Sequence, residues 1–230
     1  MTALWDQRGH ALDYLMYAYL QQGLEAEARA LAVQAAGVTA VFPEKTLTND
    51  YALAAIPARY ALDRNDWAAA ETLTVRPAPA WRGAEAVIHF ARAPGRSSPG
   101  EHPARPALVD TLGNSRRRWR RRAGPRHTGR GRLAFSGWPP PHGWPGPRGT
   151  PRALRLGAEA ADLEDITEKS PVTPGSVLRA RELYGDLLLE LGDPAKARRA
   201  YEASLARQPL RARSLVGLAA AGKAMRVTHR

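Results

Sequence analysis

LRARELYGDLLLELGDPAKARRAYEASLARQP, residues 178–209, decides the fold class. Leu183, Leu187, Leu188 and Leu191 recur at i, i+4, i+5 and i+8, which lines them along one face of a helix. Gly192-Asp193-Pro194 then reads as a helix stop, an N-cap and a proline at the first position of a second helix. Ala197, Ala200, Tyr201, Ser204 and Leu205 form the second stripe, and Pro209 closes the unit. Small residues at Gly185, Ala197 and Ser204 let the two helices approach closely, so the spacing predicts an antiparallel helical hairpin.

The same offsets recur more loosely upstream. Leu12, Leu15, Met16 and Tyr19 precede Gly23, and Ala28, Leu31, Ala32 and Ala35 follow it at helical spacing. A third unit runs from about Tyr51 to Thr74, with Ala54, Ala58 and Ala61 before Asn65-Asp66, and Trp67 and Ala70 after it. Asn65 stands where the glycine turn is expected; asparagine tolerates a left-handed conformation best among non-glycine residues. Pro57 departs from the pattern, because proline inside a helix removes a hydrogen bond and kinks it. Two further helices are expected from Trp81 to Ala93 and from Leu210 to Met225.

Residues 178–209 resemble, almost position for position, a tetratricopeptide repeat, a helix-turn-helix unit of about 34 residues. The segments Trp5-Asp6-Gln7, His10 to Leu15, Tyr51 to Tyr60, His89 to Ala93 and Pro171 to Pro174 look like uncharacterised bacterial members of that family. The likeness covers roughly residues 5–93 and 158–222 and implies an all-α solenoid of antiparallel hairpins. Such proteins are usually longer at the N-terminus, so the expectation is that Met1 is an internal start. The family binds peptides on the concave surface formed by the first helices. Transferring those positions gives Asp13, Tyr17, Leu20 and Gln21, then Ala55, Arg59, Leu62 and Asp63, then Glu182, Asp186, Leu189 and Glu190. Asp13, Tyr17, Arg59, Glu182 and Asp186 are the expected partner-binding side chains. The carboxylate clamp of some relatives needs Lys and Asn where this chain has Glu182 and Asp186, so chaperone-tail binding is not expected.

Charge divides the 230 residues into three parts. Residues 1–90 hold seven Lys/Arg against ten Asp/Glu, residues 91–155 fifteen against two, and residues 156–230 twelve against ten. The overall +12 therefore sits almost wholly in the middle part, which also holds eleven of the 19 prolines and ten of the 20 glycines. Prolines and glycines at that density interrupt any helix, so the expected division is 1–93, a disordered basic segment 94–156, and 157–230.

Three readings of 94–156 stay open. Arg116, Arg117, Arg118, Trp119, Arg120, Arg121 and Arg122 could grip phosphates while the indole stacks on a base or sits at an anionic surface. The segment could be a solvated linker. It could also be the out-of-frame translation of a GC-rich gene, since amphipathic sequence stops at Pro94-Gly95 and resumes at Gly157.

No motif points to catalysis. The six histidines form no helix-spaced metal pair, no cysteine is present, and no nucleophile elbow or phosphate loop appears. Asp162, Glu164, Asp165 and Glu168 read as a solvated helix face. No apolar run is long enough to span a bilayer and no signal-peptide pattern follows Met1, giving a cytoplasmic expectation. The expected function is therefore a non-enzymatic, cofactor-free scaffold for a protein or peptide partner, with nucleic-acid binding through the arginine run as the alternative.

Overall fold

The computed structural model describes residues 3–43, 46–92, 150–168 and 173–228. The described residues are mostly helical: α1 (Asp6–Gln22), α2 (Glu25–Ala36), α3 (Leu47–Asp63), α4 (Trp67–Glu71), α5 (Arg82–Arg92), α6 (Thr150–Asp165), α7 (Ala180–Glu190), α8 (Pro194–Arg207) and α9 (Ala212–Thr228). Strands β1 (Ala3–Trp5) and β2 (Ala40–Phe42) add a parallel two-stranded ladder with Leu4 opposite Val41. This ladder is a departure from the purely helical expectation. Three-residue strands carry too short an alternation to stand out in sequence.

Three turns are built alike. Gly23, Asn65 and Gly192 have φ of 70°, 56° and 77°, the left-handed region expected of each. The following amide, of Leu24, Asp66 or Asp193, donates to the carbonyl of Tyr19, Ala61 or Leu188, each at 2.9 Å. The left-handed residue's own amide reaches Leu20, Leu62 or Leu189, completing a Schellman motif that satisfies the last carbonyls of the first helix. Asp66 and Asp193 then cap the second helix, accepting from the amides of Ala69 and Lys196 at 3.0 Å. Thr46 caps α3 in the same way, so this helix starts four residues before Tyr51. It runs on through Pro57.

Tyr201 fixes the C-terminal hairpin. Its ring lies between Gly185 of α7 and Gly217 of α9, where an added Cβ would stand 2.8 Å and 2.3 Å from ring carbons. The close approach expected at Gly185 is therefore used by an aromatic ring, and α9 supplies a second glycine for its other side.

The N- and C-terminal helices share one core. Tyr51, Ala54, Ala58 and Leu62 of α3 and Val87 and Ile88 of α5 cluster with Val177, Leu178 and Leu183. The expected units 1–93 and 157–230 are thus packed together rather than strung apart. Of the expected segment 94–156, only 150–156 is described, and it is helical: α6 starts at Thr150, not at Gly157. Residues 93–149, with the arginine run Arg116 to Arg122 and Trp119, lie outside the described residues.

Candidate functional site

The first helices do bring the expected binding residues to one place, and then close over them. Asp13 of α1 and Arg59 of α3 are 1% and 0% exposed, and Arg59 Nε donates to Asp13 Oδ1 at 2.8 Å. The other end of the same guanidinium turns to the chain's own segment 173–178. Its two terminal nitrogens donate to the carbonyls of Ser176 at 2.8 Å and Gly175 at 2.7 Å. Tyr14 donates to the Thr173 carbonyl at 3.0 Å, and the Tyr51 hydroxyl lies 3.5 Å from the Gly175 carbonyl.

A second arginine, Arg211, continues the seam. It reaches Asp63 at the end of α3 and Glu182 of α7, both in two-nitrogen arrangements, with 2.9 Å to Asp63 Oδ2 and 3.1 Å to Glu182 Oε1. Glu182 is fully buried and also accepts from Ser214 at 2.7 Å. Tyr17 lies between the two guanidinium groups, 5.9 Å from that of Arg59 and 5.8 Å from that of Arg211. Arg213 pairs with Asp186 and stands over Trp67, while Tyr201 donates to Asp186 at 2.6 Å.

These contacts engage the expected partner-binding side chains within the chain itself. Asp13, Arg59 and Glu182 are consumed by ion pairs within the chain, Tyr17 is half-buried between Arg59 and Arg211, and Asp186 is held by Arg213 and Tyr201. The physical reason is charge balance: Asp63, Glu182 and Asp186 face arginines at the start of α9 and Asp13 faces Arg59 of α3, so closure neutralises them. Sequence reasoning missed Arg211 and Arg213, which lie 148 residues from Asp63 and Asn65. The one signal was the surplus of carboxylates on first-helix positions with two arginines just after Pro209.

Burial pushes the Asp13 carboxyl above its usual range despite the neighbouring Arg59 and the more distant His10. Its Oδ2 has no hydrogen-bond partner among the described residues. Burial, the largest single influence, would lower the Arg59 pKa, but the charge and hydrogen bond of Asp13 together with the Tyr51 and Asp63 side chains outweigh it, so the guanidinium is held charged. Burial also raises the Tyr51 hydroxyl, which remains a neutral donor.

The acidic cluster on α6 is more engaged than a solvated face. Glu164 accepts from Ser176 Oγ at 2.6 Å and from the Ala180 amide at the start of α7, while Asp165 bridges Arg179 and Arg181. An open groove of about 490 Å³ lies between α6 and the α7–α8 hairpin, with Leu154, Tyr184 and Leu188 along it and Arg155 and Lys196 at its rim.

Among the described residues no group of three His, Cys, Asp or Glu side chains could hold a metal ion. No helix among them is long and apolar enough to cross a membrane. What the seam does offer is a set of fixed donors, Tyr14, Tyr51 and Arg59, aimed at backbone carbonyls. No family model, curated protein or solved structure matches this chain.

Proposed function

We propose that the chain is a tetratricopeptide-like helical-hairpin scaffold that binds a polypeptide partner and carries out no catalysis. The observation that carries this reading is the repeated Schellman turn at Gly23, Asn65 and Gly192, each joining two consecutive helices with the same hydrogen bonds. Hairpins of this kind stack into arrays whose grooves hold extended or helical segments of other proteins. The α1–α3 face supports the same reading, since it already holds an irregular stretch of polypeptide by its backbone.

Panning the full chain against a displayed random-peptide library tests the proposal. Enriched sequences that bind the purified protein in the micromolar range are expected. A library that yields none, together with turnover of an ester or peptide panel, would replace the scaffold with an enzyme.

The second reading, binding of nucleic acid or another polyanion through Arg116 to Arg122, rests on fifteen basic against two acidic residues in 91–155. It predicts a steep loss of affinity for single-stranded DNA between 50 and 200 mM salt, on the order of a thousandfold. It also predicts that deleting residues 94–149 abolishes that binding while leaving the library-selected peptides bound.

A further inference from the structure

Residues 173–178, Thr-Pro-Gly-Ser-Val-Leu, form neither helix nor strand, yet Thr173, Val177 and Leu178 are 6%, 1% and 2% exposed. Buried irregular chain is unusual because each of its peptide groups loses water and needs a partner. Here the partners come from the facing helices. Carbonyls at 173, 175 and 176 are met by Tyr14, Tyr51 and Arg59, and the side chains of Val177 and Leu178 enter the apolar cluster of α3 and α5. Gly175 has φ of 129°, a conformation that only glycine adopts readily. Side-chain donors on carbonyls with two apolar anchors beyond them are how a groove holds a peptide ligand.

Building on the scaffold reading above, we infer that segment 173–178 is a built-in ligand of the α1–α3–α5 face, which it keeps closed until a competing peptide displaces it. The competing ligand is an extended peptide with glycine followed, one residue on, by two apolar residues; its carbonyls are read by Arg59, Tyr14 and Tyr51. Displacement has a route to the rest of the molecule. Ser176 is tied to Glu164 of α6, and Leu178 leads directly into α7, whose Glu182 grips Arg211. Lifting the segment therefore loosens the seam between the N- and C-terminal helices, and occupancy of the face is coupled to their association.

Affinity for an outside peptide is reduced by the fraction of molecules in which the face is open, so weakening the internal segment tightens outside binding. The test uses a fluorescent peptide of residues 171–180 and the full chain. Gly175→Ala strains the segment, and Val177→Ala with Leu178→Ala removes its anchors; neither alters the face. Each variant is expected to keep its helical circular dichroism and to bind the peptide at least tenfold more tightly than wild type. Adding Arg59→Met to either is expected to reverse the gain. Equal binding to wild type and both variants, or a gain indifferent to Arg59→Met, overturns the inference. Loss of helicity in both variants overturns it too, because the segment is then core and not ligand. Library peptides that still bind the Arg59→Met chain would leave the scaffold reading standing while removing this one.

Discussion

Arg211 and Asp63 form a two-nitrogen ion pair across 148 residues of sequence, with side chains 1% and 6% exposed, and so tie the start of α9 to the end of α3. The pair is the hub of the seam, since Glu182 shares the same guanidinium and Gln21 links Asp63 to the Ala212 amide.

Removing the shared cation leaves two carboxylates buried without it. Arg211→Met is expected to destabilise the chain by about 3–5 kcal/mol, the range for breaking a buried pair from one side. Urea unfolding followed by circular dichroism measures it. The double change Arg211→Met with Glu182→Gln should recover part of the loss, because one stranded charge is gone.

Asn65 carries a left-handed backbone at φ 56°, and its side chain accepts from Arg213. Asn65→Ala removes the acceptor and keeps a Cβ in a strained conformation, for an expected cost of about 1–2 kcal/mol. Asn65→Gly relieves the strain and should cost less than the alanine change. Thermal unfolding of the two variants side by side gives the order.

Tyr201 has no room to spare between Gly185 and Gly217. Gly217→Ala places a methyl against its ring and should cost about 1–3 kcal/mol. Shrinking the ring in the same chain, by Tyr201→Leu, should make the glycine change nearly neutral. Strict additivity of the two costs would contradict the packing described.

The Asp13 carboxyl has a folded-state pKa raised by burial above its ordinary 3.8, so the folded state binds its proton more tightly than the unfolded state. As pH rises from 3.8 through the raised value, this group's contribution to stability falls, and above that value it is constant. The unfolding free energy of wild type minus that of Asp13→Asn should therefore decrease across this window. His10 on α1 and Arg59 and Tyr51 on α3 are the charged or titratable groups that bear on Asp13. A difference that grew with pH would mean that the Arg59 charge outweighs burial.

The turns were legible because their code is local. Gly23, Asn65 and Gly192, with the caps Asp66 and Asp193 beside two of them, act within a few residues, and the structure gives each the expected left-handed backbone. The candidate site was legible only as a position. The family resemblance places Asp13, Arg59 and Glu182 on first-helix faces, but whether such a face meets solvent depends on what returns to cover it. Arg211 and the segment at Gly175 come back from more than a hundred residues away, and no periodicity records that pairing. The Ala3–Trp5 and Ala40–Phe42 strands were hidden for a different reason, their brevity.

Arg59 holds the chain's own segment 173–178 by the carbonyls of Gly175 and Ser176. Amide hydrogen exchange of the full chain, wild type against Arg59→Met, reads it directly. Slow exchange across 173–180 in wild type is predicted, at least tenfold faster in the variant, with α8 unchanged. Fast exchange there in wild type, or a variant indistinguishable from it, would contradict the account.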